Sequence, residues 1–314
     1  MNLFDLSLEE LRGYRPDMTK KRDFDTFWDE KINESNSQPL HCEVKGVEGI
    51  DPTILHEELY FDGFRNSRIR VRVLSLKQNR SSKLLVHYHG YAWNFNSVSD
   101  YYKYVYLGFT VALVDVRGQN LATPDHAHYE NGGPMGWMTL GIVNPNNYYY
   151  LHVYMDCYRA VEALKSTFEV SSISVMGASQ GGALSIAVGA LHKGVTKIIS
   201  EITFLSHFQR SVKISTDGPY PEIYKFFKYH DQHHELEERV YDTLSYFDCM
   251  NLADKITAEV MMTVGLEDTV CPPSTVFAVY NAISSKKEIR VYPEHAHGGF
   301  TQHEEFKMKF LMKE

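Results

Sequence analysis

The sequence predicts a mixed α/β fold: a mostly parallel central sheet flanked by helices, with an N-terminal extension. Three observations lead there. Five short apolar runs occur, at residues 84–88, 110–116, 173–176, 260–264 and 287–292. Helical apolar patterns lie between most of them, notably at 150–167 and 183–192. The third run ends in a glycine-rich turn that opens directly into an apolar helix pattern. Strands covered on both faces read as continuous apolar runs, and their alternation with helices implies parallel crossovers.

Taken in chain order, residues 1–36 are rich in charge, with Phe24, Phe27, Trp28 and Ile32 at helical spacing. They predict an arm, within residues 1–56, whose amphipathic helix packs on the body. Residues 57–76 alternate apolar and polar side chains around Asp62-Gly63, the pattern of antiparallel strands. The five runs follow as core strands. In open parallel sheets the reactive groups sit beyond the carboxyl ends of the strands. The loops after Tyr88, Val116, Met176, Val264 and Tyr292 therefore share one rim. The Tyr- and His-rich segment at about 206–246 reads either as a lid or interface insertion over that rim or as ordinary surface helices. The whole chain, 1–314, reads as one catalytic domain.

Composition narrows the function. At 314 residues, 43% hydrophobic and 23% charged, the chain can bury a large core without disulfides or metals. The net charge is −8 and no basic run tracks a phosphate backbone, which argues against nucleic acid as a partner. The 21 tyrosines suit ring-shaped ligands, although ordinary half-buried tyrosines account for them as well. Cys42, Cys157, Cys249 and Cys271 are widely spaced, with no C-x-x-C pair, so a reducing, cytoplasmic setting is expected. The N-terminus lacks the basic and apolar regions of a secretory signal, and no apolar stretch is long enough to span a membrane.

Gly177-Ala178-Ser179-Gln180-Gly181 matches G-x-S-x-G, set between a buried strand and an apolar helix. That context is a nucleophile elbow. The serine occupies a strained turn, glycines on either side remove clashing side chains, and the following helix aims its N–H groups at a developing oxyanion. A serine hydroxyl needs a histidine base and a carboxylate to orient it, here in the order Ser, acid, His. The fourth run ends in Gly265-Leu266-Glu267-Asp268, followed by Pro272-Pro273. Asp268 is the chosen acid and Glu267 the alternative. The fifth run leads into His295-Ala296-His297-Gly298-Gly299. His297 is the chosen base, because the glycines free that part of the loop to approach the elbow. His295 and His303 remain alternatives. Gln180 follows the nucleophile and Tyr91 follows His89-Gly90 on the first rim loop, the usual sites of the two oxyanion N–H donors.

These residues resemble the carbohydrate esterase family of acetyl xylan esterases and cephalosporin C deacetylases, which are α/β-hydrolases. The resemblance is carried by the 11–16 segment with Asp23-Phe24-Asp25-Thr26-Phe27-Trp28, and by Arg117-Gly118-Gln119 with Tyr148-Tyr149-Tyr150 and Asp156. Ser179-Gln180-Gly181-Gly182 and the run from Gly265 through Pro272-Pro273-Ser274-Thr275 to Tyr280-Asn281 complete it. It implies a triad of Ser179, Asp268 and His297 with Tyr91 and Gln180 as oxyanion donors. It also implies acetyl removal from alcohols (acetylated sugars or antibiotics) and a ring-shaped homohexamer. One departure stands out: the family shows His-Glu at the catalytic histidine, whereas Gly298 follows His297. Glu294 and Glu304 are the candidates to replace that carboxylate.

Arg117 is expected to brace the rim loops rather than to act on substrate. The pairs His87/His89, His126/His128 and His295/His297 have zinc-ligand spacing, but no supporting cysteine cluster or H-E-x-x-H exists, so no metal is expected. No G-x-G-x-x-G follows a strand and no P-loop is present, so no nucleotide cofactor is expected. The readings in competition with a serine acetylesterase are an α/β-hydrolase peptidase or thioesterase, and a non-catalytic binding scaffold.

Overall fold

The structure is a computed structural model, and it describes residues 4–130 and 135–313. Nine strands form one sheet: β1 (Glu43–Val47), β2 (Ile54–Asp62), β3 (Arg68–Leu76), β4 (Lys83–Tyr88), β5 (Thr110–Val114), β6 (Ser172–Ala178), β7 (Val195–Glu201), β8 (Glu259–Gly265) and β9 (Lys287–Tyr292). Their spatial order is β1-β2-β3-β5-β4-β6-β7-β8-β9. β1, β2 and β3 pair antiparallel, as does β3 with β5, and every pair from β5 through β4 to β9 is parallel. All five expected strands are present, although β9 is a half-buried edge strand rather than a core strand, and residues 57–76 form the expected hairpin around Gly63.

Two strands were not expected. β7 reads V-T-K-I-I-S-E, and the interior Thr196 and Lys197 break its apolar run. The break is tolerated because the Lys197 ammonium reaches the Phe310 and Leu311 carbonyls at the end of the last helix. β1 is exposed along its whole length, so no buried face marks it in the sequence.

Period-two geometry sorts the core into two layers. Leu84, Val86 and Tyr88 of β4 join the larger cluster with Val175, Ile198, Val260 and Met262. Leu85 faces the other way, with Val111, Leu113, Met176, Ile199 and Met261. The helices are α1 (Leu8–Gly13), α2 (Phe24–Ser37), α3 (Tyr102–Tyr106), α4 (Tyr149–Thr167), α5 (Gln180–Leu191), α6 (Phe208–Ile214), α7 (Tyr220–His230), α8 (Glu237–Phe247), α9 (Cys249–Leu252), α10 (Pro273–Ala282) and α11 (His303–Met312). α2 packs on the body as expected: Phe24, Phe27 and Trp28 are buried, and the Trp28 indole donates to the Tyr246 carbonyl at 3.1 Å. Segment 206–246 folds into α6, α7 and α8. Among the described residues, no helix is long and apolar enough to cross a membrane.

Candidate active site

Ser179 sits between β6 and α5 at φ 56°, ψ −118°, a conformation costly for a residue with a Cβ. The glycines around it are required by close approach. A Cβ on Gly177 would lie 2.5 Å from the Gly181 carbonyl carbon, and one on Gly181 would lie 2.0 Å from the Tyr88 carbonyl oxygen. The turn is pinned by the Ser179 N–H to the Glu201 carbonyl at 2.8 Å and by the Phe204 N–H to the Ser179 carbonyl at 3.2 Å. Gln180 opens α5, so its N–H belongs to the first turn, which no intrahelical carbonyl accepts.

Asp268 lies in the loop after β8 and is fully buried. Its Oδ1 accepts the N–H groups of Val270 at 2.9 Å and Cys271 at 2.8 Å. Its Oδ2 is 2.8 Å from His297 Nδ1. The histidine loop comes this close because β8 ends in glycine: a Cβ on Gly265 would lie 2.3 Å from the Ala296 carbonyl oxygen. Ser179 and His297 line one cavity of about 600 Å³, with Tyr91, Trp93, Phe95, Tyr101, Glu222 and Val270 also in its wall.

The alternatives stand elsewhere. Glu267 is exposed to solvent. His295 packs against Tyr292 and Phe300, with Nδ1 buried and unpaired. His303 is hydrogen-bonded to the Tyr292 hydroxyl at 2.9 Å. Glu304 is held by the Tyr104 hydroxyl, Lys103 and Lys307, and Glu294 is exposed. Gly298 adopts φ 115° and Gly299 φ 82°. The backbone itself thus accounts for the glycine after His297, since L side chains rarely adopt such angles.

The Arg-Gly-Gln segment divides its work. Arg117 is buried, with Nε and one terminal nitrogen on Asp156 at 2.5 and 2.7 Å and that same nitrogen on the Phe64 carbonyl at 2.7 Å. Burial pushes the Asp156 carboxyl up, and the guanidinium pulls against that shift. Gln119 faces the site instead. Its Oε1 accepts the Ala92 N–H at 3.1 Å, and its side-chain amide pairs with that of Gln180 at 2.9 and 3.0 Å. Tyr150 also donates to Gln180 Oε1 at 3.0 Å. The loops of Tyr91 and Gln180 are therefore tied through one glutamine. The sequence carried a signal for this in the Arg117-Gly118-Gln119 and Tyr148-Tyr149-Tyr150 strings, but only the folded chain reveals the contacts.

Cys271 and Glu222 were not anticipated. Cys271 lies beside Asp268, to which its N–H donates, and near Ser179, while burial pushes its thiol well above the ordinary range. It is a neutral neighbour of the serine rather than a rival thiolate. Asp268, Cys271 and His297 are the one group of three potential metal ligands among the described residues, with ligand atoms within 4.8 Å of one another. Asp268 and His297 are engaged with each other, and Asp268 also with two backbone N–H groups. Of the histidine pairs with zinc-ligand spacing, His89 has both nitrogens in use: Nε2 accepts the Val116 N–H at 3.0 Å, so Nδ1 donates to the Gly90 carbonyl at 2.8 Å. His126 and His128 are exposed loop residues.

The family model for acetyl xylan esterase (AXE1) matches residues 1–314. The chain belongs to the acetyl xylan esterase family. It is a carboxylic ester hydrolase with an α/β-hydrolase fold, and the activity of the family is hydrolysis of acetyl esters. The acetyl xylan esterase from Paenibacillus sp. R4 superimposes with a TM-score of 0.95 at 41% identity, covering 98% of this chain and 99% of its own. Acetyl xylan esterase 1 from Thermoanaerobacterium sp. gives 0.93 at 35% identity, covering 98% of each chain. Among curated proteins, acetyl esterase Axe7A of Xylanibacter ruminicola is 26% identical over 96% of this chain and 70% of its own.

Proposed function

We propose that this member of the acetyl xylan esterase family removes acetyl groups from acetylated sugars, xylo-oligosaccharides among them, through an acetyl-enzyme on Ser179. The observation that carries this is the Asp268–His297 hydrogen bond at 2.8 Å in the cavity that also holds Ser179 on its strained elbow. His297 Nε2 takes the Ser179 proton as Oγ bonds to the acetyl carbon, and the carbonyl π pair moves onto oxygen. The N–H groups of Tyr91 and Gln180 receive that oxyanion. Collapse breaks the bond to the sugar oxygen, which leaves with the proton from His297. Water repeats the sequence on the acetyl-enzyme and releases acetate. The cavity is far larger than an acetyl group, which leaves most of its volume for the alcohol.

The acetylated side chain of cephalosporin C is an acetate of the same kind, and belongs to the same substrate class. A homohexamer and a cytoplasmic location complete the reading. The four free cysteines suit a reducing compartment, and light scattering tests the hexamer. The deciding experiment is organophosphate labelling with peptide mapping, paired with a hydrolysis panel of sugar acetates, cephalosporin C and peptides. Modification at Ser179 and turnover of sugar acetates are expected. Labelling elsewhere overturns the nucleophile, and preference for a peptide overturns the substrate class.

A further inference from the structure

Glu222 stands in the wall of the Ser179 cavity, yet no step of the reaction above uses it. It projects from the first turn of α7, and its two carboxylate oxygens are divided between two rim loops. Oε1 accepts the Tyr91 hydroxyl at 2.7 Å, and Oε2 accepts the Met138 N–H at 3.1 Å. The Tyr91 oxygen in turn accepts the Trp137 N–H at 3.1 Å. Each polar group in this ring of contacts has a partner. The fit is close: Gly136 adopts φ 147°, and a Cβ there would lie 2.1 Å from Glu222 Oε2. Trp137 and Phe204 hold the Tyr91 ring edge-on, with centroids at 5.2 and 6.2 Å.

Tyr91 is thus fixed at both ends. Its ring is held by Glu222, and the turn after it is held by Gln119 through the Ala92 N–H. An oxyanion donor is effective only when it is aimed before charge develops, because reorganisation during the reaction adds to the barrier. A tyrosine ring free to swing would let the short turn beneath it swing as well. We propose that Glu222 is a positioning residue, holding the Tyr91 ring so that the Tyr91 N–H stays aimed at the acetyl oxygen. This rests on the reading of Tyr91 as an oxyanion donor. It also gives α7 a role, since the helix delivers the carboxylate across the cavity mouth.

E222Q keeps the shape but has one acceptor for two donors: with its oxygen on the Met138 N–H, its NH2 faces the Tyr91 oxygen and the hydroxyl proton loses its acceptor. The expected result is a kcat for an acetate ester lowered roughly tenfold to a hundredfold with KM within about twofold, since a misplaced donor weakens the transition state and spares the ground state. An alkylboronic acid, which becomes tetrahedral on the serine, should lose affinity in parallel. Y91F removes the same bond from the other side and should show the same split. The double variant should be no slower than the worse single one. A loss confined to KM, a loss additive with Y91F, or kcat within twofold in E222Q overturns the proposal. If E222Q fails to fold, Y91F alone decides, and wild-type kcat in Y91F is the overturning result. Failure of the underlying reading shows itself separately: replacing the Tyr91 backbone amide by an ester removes that N–H alone, and an unchanged kcat there overturns the donor assignment whatever E222Q does.

Discussion

His297 Nδ1 lies 2.8 Å from Asp268 Oδ2, while the other oxygen of that carboxylate is occupied by two backbone N–H groups. The two oxygens therefore have different jobs. Oδ1 fixes the side chain against the Val270-Cys271 turn, and Oδ2 requires a proton on Nδ1. That leaves the lone pair on Nε2, the nitrogen available to a serine.

The first prediction follows from this division. In D268N the amide oxygen would keep the two backbone bonds, because they need an acceptor. The amide NH2 would then face Nδ1 and force the proton to Nε2. That tautomer cannot accept a proton from Ser179. kcat on an activated acetate should fall by about 10⁴, as a wrong-tautomer variant of a serine hydrolase does, with the circular dichroism spectrum unchanged. A loss below tenfold would separate Asp268 from the chemistry.

Arg117 yields a stability prediction. It is buried with Asp156, and both are tied to Phe64, so the pair joins the β2–β3 turn to α4 and the rim. R117M leaves an unpaired buried carboxylate, and breaking such a pair costs about 3–5 kcal/mol. Urea unfolding should show that loss as a lower midpoint with an unchanged slope. A variant within 1 kcal/mol of wild type would mean that the pair contributes little. The Arg117-Gly118-Gln119 string also shows where sequence reasoning stops. From the sequence its arginine reads as a brace, and the structure puts it on Asp156. The role of Gln119, two residues on, depends on three segments meeting in space, which no spacing rule encodes.

The legible parts share one physical cause. Four of the expected strands, β4, β5, β6 and β8, carry buried apolar side chains on both faces, and the elbow needs glycine where backbone meets backbone, so both leave marks in adjacent residues. β7 was hidden because Lys197 is satisfied by carbonyls more than a hundred residues away. Glu222 was hidden for the same reason: its partners, Tyr91 and Met138, are brought to it only by folding.

Gly298 provides the third prediction. The residue after His297 sits at φ 115°, with nothing within 4 Å of where a Cβ would point. Space is therefore not the obstacle; the backbone angle is. G298A and G298E should each cost roughly 1–3 kcal/mol of local strain, relieved by movement of the His297 loop. The two should lose similar kcat. If G298E were active while G298A was impaired, a carboxylate at this position would be compensating chemically, and the backbone account would be wrong.

The last prediction concerns the alcohol side of the cavity. Trp93 is 63% exposed although it lines the cavity with Ser179 and His297. Its turn is closed by a hydrogen bond: the Trp93 N–H donates to the Gly90 carbonyl at 3.1 Å, and Ala92 between them has φ 53°. A large ring held open at a cavity mouth leaves an apolar face uncovered, and such faces mark contact sites. The C–H face of a pyranose is a suitable partner, and its hydroxyls remain free for polar groups in the wall. W93A should therefore lower kcat/KM for xylose tetraacetate about tenfold relative to ethyl acetate, whose alcohol is too small to reach the indole. W93F should recover part of the ratio, because a smaller ring keeps some of the face. Comparing the two substrates within each variant cancels any general effect on the Tyr91 turn. An unchanged ratio in W93A would show that the sugar ring binds elsewhere in the cavity.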